Sequence, residues 1–107
     1  MQDFVLKKGD QLPFITDQVL DANSSAFDLS NATVSFKYRL RNGEDVTSGD
    51  AVITDAANGR VQYEWLDSDV SGAGVFYAEW EVYESGSRVL THPRDRCILF
   101  EIMDDIS

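Results

Sequence analysis

The sequence predicts an all-β fold. Three observations carry that expectation. Apolar residues recur with a period of two rather than 3.6. Turn-forming residues punctuate the chain at short intervals. No segment is long enough or suitably periodic for a substantial helix.

Taken in order, the elements are these. A weak strand at residues 4–7 is closed by Lys8-Gly9-Asp10, and another at 14–20 by Asp21-Ala22-Asn23. The first strong strand spans 33–41. Val34, Phe36, Tyr38 and Leu40 alternate with Thr33, Ser35, Lys37, Arg39 and Arg41. A strand sends alternate side chains to opposite faces, so one face is core and the other wet. Asn42-Gly43 then turns the chain. A weak strand at 51–54 leads to Asn58-Gly59, a strong turn cue. Residues 60–65 set Val61, Tyr63 and Trp65 against Arg60, Gln62 and Glu64. Asp67-Ser68-Asp69-Val70 suits a helical turn with Asp67 as its cap. Beyond Ser71-Gly72, residues 75–83 turn Phe76, Ala78, Trp80 and Val82 inward. Ser85-Gly86 precedes a weak strand at 88–91. His92-Pro93 precedes a strand at 97–102, with Ile98, Phe100 and Ile102 on one side.

Seven to eight short strands in 107 residues point to a sandwich or a barrel. We read the chain as an all-β, immunoglobulin-like antiparallel β-sandwich, forming a single domain over residues 1–107. Phe36, Tyr38, Tyr63, Trp65, Phe76, Trp80 and Phe100 supply much of its expected core. In the immunoglobulin arrangement the third and sixth main strands are neighbours. Residues 33–41 and 75–83 should therefore pair antiparallel, with Lys37 and Arg39 facing Glu79 and Glu81.

The net charge is −10, from 19 acids and 9 bases. Such a surface is poor for nucleic acid, which demands clustered Lys and Arg, and for an anionic membrane. Neither is expected as a partner, and the charge favours solubility. With one cysteine no intrachain disulfide is possible. Cys97 adjoins Ile98-Leu99-Phe100 and is expected to be a buried, inert thiol. The start of the chain has no basic stretch followed by an apolar run, so a soluble protein made in a cytoplasm is expected. Asn23-Ser24-Ser25 and Asn31-Ala32-Thr33 then match the glycosylation triplet by chance.

A search for chemistry yields little. His92, the one histidine, is read as a solvated loop residue. No metal-ligand spacing of Cys or His occurs. Asp21-Ala22-Asn23 and Asp67-Ser68-Asp69 could hold Ca²⁺ in principle, but turn chemistry accounts for both. Glu79 and Glu81 share a strand face, the pattern of a glycosidase pair, but alternation makes that face the wet side. No catalytic, cofactor-binding or metal residue is expected, and the chain is not read as an enzyme. One feature stands out. Val75, Tyr77 and Tyr83 lie on the same supposedly wet face, and exposed aromatics on a flat sheet suit a protein contact.

The ordered series of segments carries a resemblance. It opens with Lys7-Lys8-Gly9-Asp10-Gln11-Leu12-Pro13, followed by Asp21-Ala22-Asn23 and Phe27-Asp28-Leu29-Ser30-Asn31-Ala32-Thr33-Val34. It continues through Ala51-Val52-Ile53-Thr54-Asp55-Ala56-Ala57-Asn58-Gly59-Arg60-Val61, then Tyr63 and Trp65. It ends with Ala73-Gly74-Val75-Phe76-Tyr77-Ala78-Glu79-Trp80-Glu81-Val82. This series resembles the N-terminal domain of phage baseplate upper proteins, a module that recurs in tail and fibre proteins of many phages. The resemblance implies an immunoglobulin-like sandwich that attaches a component to the tail or baseplate. It implies a bacteriophage virion structural protein, assembled in the host cytoplasm. Its partners would be other virion proteins in a symmetric assembly, with no catalysis and no cofactor. It transfers no site residue.

In baseplate upper proteins, receptor-binding segments follow this domain. The present sequence stops at Ser107, so the expected role is an adaptor, a decoration subunit or a small tail component, or else a fragment of a longer protein. The alternative is a carbohydrate- or host-receptor-binding sandwich module, or a capsid decoration subunit. A sugar site would want aromatics in its loops, whereas these loops are mostly Asp, Asn, Ser and Gly.

Overall fold

A computed structural model of the chain describes residues 3–94 and 96–104; the outermost residues of the expected 1–107 unit lie outside this range. Among the described residues nine strands form: β1 (Phe4–Lys7), β2 (Ile15–Gln18), β3 (Thr33–Leu40), β4 (Thr47–Asp50), β5 (Val52–Asp55), β6 (Arg60–Tyr63), β7 (Gly74–Glu84), β8 (Ser87–His92) and β9 (Ile98–Met103). A 3-10 turn spans Ala56–Asn58. The larger sheet runs β1-β9-β7-β3-β4, with β8 also paired to β7, and the smaller runs β2-β6-β5. These orders follow the two sheets of an immunoglobulin sandwich. All pairings are antiparallel except β1 with β9, which is parallel.

The expected pairing of the two longest strands is present, from Thr33 opposite Tyr83 to Leu40 opposite Phe76. β7 is long enough for β9 and β8 to share its other edge, one after the other. Ser85 and Gly86 both take positive φ, 52° and 81°, which is the twist a two-residue hairpin between β7 and β8 requires.

β4 is the strand that local pattern did not foresee. Thr-Ser-Gly-Asp shows no apolar alternation, because the positions opposite the inward Tyr38 and Phe36 are a threonine and a glycine. Gly49 passes directly over Tyr63, and a Cβ there would sit 2.7 Å from the ring. Leu40, expected inside, is 47% exposed at the end of β3.

All seven expected aromatics are buried. Phe36 is their hub, with ring centroids 4.7 Å from Trp80 and 4.8 Å from Tyr63; Phe76 stacks on Phe100 at 4.9 Å. Such contacts add about 0.5–1.5 kcal/mol each beyond the area they bury.

Two carboxylates tie the sheets together. Asp69 accepts hydrogen bonds from the Tyr38 hydroxyl on the larger sheet, the Tyr63 hydroxyl on the smaller (2.6 Å) and the Leu66 N–H (2.8 Å). Burial first, and then Asp69, push both phenols far above their ordinary range. The sequence pointed to Asp67 as a cap for this turn, but the buried acid is Asp69, while Asp67 accepts from Gln11. The second link joins β7 to β2, where the Trp80 indole N–H donates to Asp17 at 3.0 Å. Antibody domains place their disulfide between the corresponding strands.

Candidate protein interface

The core-facing set of β7 leaves Val75, Tyr77, Glu79, Glu81 and Tyr83 on the outer face of the larger sheet. The register fixes their neighbours. Val75 lies opposite Glu101, which lies opposite Val5. Tyr77 lies between Leu99 and Arg39, Glu79 opposite Lys37, Glu81 between Thr91 and Ser35, and Tyr83 between Arg88 and Thr33.

The face therefore has two ends. Towards β1 and β9 apolar residues surround Glu101: Val5 is 46% exposed and Met103 42%, with Val75, Tyr77 and Leu99 half-buried beside them. The Arg39 guanidinium stands 5.3 Å from the centre of the Tyr77 ring. It also donates to the carbonyls of Leu40, Arg41 and Gly43, which hold the cation against that ring. The expected pairing of Arg39 with a glutamate thus does not occur, because the register sets Tyr77 opposite it.

The other end is charged and differs more from expectation. Glu81 was read as wet, yet it is buried. Lys37 reaches it diagonally at 2.8 Å, Arg88 from β8 at 3.0 Å, and the Tyr83 hydroxyl donates to it at 2.6 Å. Burial opposes ionisation of Glu81, but these three donors and the Lys37 charge hold it below the usual carboxylate range. The Lys37 ammonium is correspondingly raised by its bond to Glu81. The signal for this burial was absent from the strand itself. It arises because β8, with a register shift between Val82 and Tyr83, brings Arg88 over the strand.

Of the three residues singled out from the sequence, Val75 and Tyr77 fall together at the apolar end. Tyr83 is set apart by Glu79 and Glu81, and its hydroxyl is committed to Glu81. Sequence reasoning missed Val5 and Met103, whose place depends on the parallel β1–β9 pairing. Leu99 was legible in principle, since it alternates with Ile98 and Phe100.

A shallow concavity of about 470 Å³ opens on this face, lined by Lys37, Arg39, Val46, Tyr77, Glu79 and Cys97 among others. Cys97 was expected inside, but it is exposed. Ile98 is the first inward residue of β9, so alternation turns its predecessor outward.

The remaining sequence candidates take structural places. His92 is not a solvated loop residue. It ends β8 with its Nε2 3.5 Å from Asp17. Burial acts to raise Asp17, but hydrogen bonds from His92, the Gln18 N–H and Trp80, with the His92 charge, bring it below its ordinary value. Asp21 accepts the N–H groups of Asn23 (2.8 Å) and Ser25 (3.0 Å), which is turn chemistry. Among the described residues no group of three or more His, Cys, Asp or Glu is placed to hold a metal.

Comparison with known proteins gives a family and a fold. The family model described as "BppU N-terminal domain", BppU being the baseplate upper protein, matches residues 14–106. Among solved structures the chain is similar to the N-terminal domain of phage TP901-1 ORF48, with 18% identity and a TM-score of 0.65. The match covers 95% of this chain and 83% of that one. No curated protein matches the sequence.

Proposed function

The chain belongs to the baseplate upper protein N-terminal domain family, and from that premise we propose that it joins virion proteins through the outer face of its larger sheet. Family membership makes it a tail or baseplate structural module of a bacteriophage and a part of the virion. The adaptor role is our reading. The observation that carries it is the group of apolar residues at one end of that face, with Tyr77 held under Arg39 and the Lys37–Glu81–Arg88 cluster to one side. A desolvated aromatic anchor inside a polar rim is the usual anatomy of a protein interface.

On this reading the chain is a single domain that works by contact rather than catalysis. Its partners are other virion proteins in a symmetric assembly put together in the host cytoplasm, and neither nucleic acid nor membrane is engaged. The test is complementation of a phage lacking the protein. Val75→Ser combined with Tyr77→Ser should fold, as judged by circular dichroism, yet fail to enter tails seen by electron microscopy. Tyr83→Phe should enter normally. Normal incorporation of the folded double variant would overturn the reading.

A further inference from the structure

The two most exposed large apolar side chains among the described residues are Leu12, at 67%, and Leu66, at 62%. They lie far apart in sequence, yet the fold sets them side by side. The β2–β6 register places Ile15 opposite Tyr63. Carried three residues beyond the strand ends, it places Leu12 opposite Leu66, and one residue further Gln11 opposite Asp67. The Gln11 amide does donate to the Asp67 carboxylate, so the alignment continues that far. Tyr63 and Trp65 are buried, so alternation turns Glu64 and Leu66 outward.

Both leucines are held in place. The Leu66 N–H donates to the buried Asp69 carboxylate at 2.8 Å, and the Leu66 carbonyl accepts the Asp69 N–H at 3.0 Å. On the facing segment the Pro13 carbonyl accepts the Trp65 indole N–H at 3.1 Å, and the Gly9 N–H donates to the Val70 carbonyl at 2.8 Å. The two loops are thus stitched to each other and to the core, while both leucine side chains stand in solvent. Exposed leucines scattered singly are ordinary. Two brought together on a fixed support are preorganised for contact, because little ordering remains to be lost on binding.

Charge names the counterpart. Asp10, Glu64 and Asp67 border the pair and are exposed. Glu64 and Asp67 accept from the Gln62 and Gln11 amides, neutral donors that leave their charge in place. Residues 9–32 and 51–72, the smaller sheet with its loops, hold eight acids and one base, Arg60, against Lys7 and Lys8 at the entry to the first loop. A second copy is a poor counterpart, since a two-fold contact through the leucines sets Glu64 and Asp67 against their own images. An anionic membrane is repelled by the same rim. We infer that Leu12 and Leu66 form a second docking point, which seats in an apolar socket rimmed by Lys and Arg on another virion protein. It continues the smaller sheet and does not use the outer face of the larger one, so the module carries two separate contacts, as a connector between components requires.

The test places the photoreactive residue p-benzoylphenylalanine at position 12 in the complementing phage. Irradiated virions should yield an adduct between that position and another virion protein, at a segment that mass spectrometry finds to hold apolar residues beside Lys or Arg. An adduct to a second copy of this chain, an adduct to a segment with no basic residue, or no adduct in assembled particles overturns the inference. Binding of the purified chain to tails made without it supplies a second measurement. Leu12→Ala and Leu66→Ala should each weaken that binding about tenfold, with the circular dichroism spectrum unchanged. Glu64→Gln should flatten its decline with added salt. Unaltered binding by both alanine variants, or an unaltered salt dependence, overturns the inference equally. The two contacts fail separately. Exclusion of the folded Val75→Ser, Tyr77→Ser variant with no adduct at position 12 removes only the second docking point. Normal incorporation of that variant with an adduct at position 12 removes only the larger-sheet contact.

Discussion

Replacing Asp69 with alanine removes the acceptor of three hydrogen bonds at once: those from Tyr38, Tyr63 and the Leu66 N–H. Hydrogen bonds to a charged group contribute about 1.5–3 kcal/mol each, and a simple sum reaches about 5–9 kcal/mol. The desolvation of the carboxylate itself offsets several kcal/mol of this. The substitution relieves that cost but strands two phenol hydroxyls in a buried site. The expected net loss is about 3–5 kcal/mol, the range found when one partner of a buried charged network is removed. Against a total stability of about 5–15 kcal/mol, this is a large share. It should lower the melting midpoint by at least about 12 °C. Urea unfolding followed by circular dichroism and tryptophan fluorescence measures it. Tyr38→Phe and Tyr63→Phe should each cost about 1–2 kcal/mol, since each leaves Asp69 two donors. Adding Asp69→Ala to that Phe pair should cost less than Asp69→Ala alone, because no hydroxyl is then orphaned. A loss below about 1 kcal/mol for Asp69→Ala, or strict additivity in the triple variant, would refute the account of Asp69 as the joint between the sheets.

Other consequences are equally open to measurement. Asp17 and Glu81 both titrate below their ordinary values in the folded chain. Their stabilisation is therefore complete above an ordinary carboxylate pKa of about 4 and is lost as the pH falls through the lower folded values. Glu81→Gln should flatten the acid limb of a stability–pH curve, and an unchanged limb would contradict the pairing described. Lys37 is raised, so its share persists below an ordinary lysine pKa of about 10.4 and disappears as the pH climbs through the folded value. Gly59 takes φ 67° and leaves no room for a Cβ, which would lie 2.7 Å from the carbonyl oxygens of Phe27 and Val19. Gly59→Ala should thus cost about 1–3 kcal/mol by chemical denaturation. Cys97 should react stoichiometrically with a thiol reagent in the absence of denaturant; labelling only on unfolding would place it back in the core.

The fold was legible where packing is two-sided and local. Alternation along residues 33–41 and 75–83 identified the central strands, because a period of two is imposed by burial on one face. It also predicted every core aromatic. It was blind at β4, where close approach to Tyr63 demands a glycine and erases the pattern. It failed for Leu40, at a strand end where the alternation no longer reports depth, while the expectation of a buried Cys97 rested on its apolar neighbours and ran against the alternation that turns it outward. The candidate face was legible only in part. Val75 and Tyr77 could be read from their own strand. Their apolar neighbours Val5 and Met103 arrive from the two ends of the chain, through a pairing of residues about a hundred positions apart in sequence. Glu81 shows the same limit from the opposite side. Its burial is created by Lys37 and Arg88, contributed by two other strands, so no pattern along β7 could disclose it.

The parallel pairing of β1 with β9 has a mechanical consequence. Phe4 lies opposite Phe100 and Lys7 opposite Met103, so the chain enters this pair at one end of the sheet and leaves it at the other. Tension applied through the chain on either side draws the two strands past each other lengthwise. The bonds from the Asp3 N–H to Leu99 (2.6 Å) and from the Lys8 N–H to Met103 (2.7 Å), with those between, are then loaded together in shear. A hairpin pulled open from its end would instead lose its bonds one at a time. A module tethered between neighbours in a particle would resist such a pull as one unit until the whole seam parted.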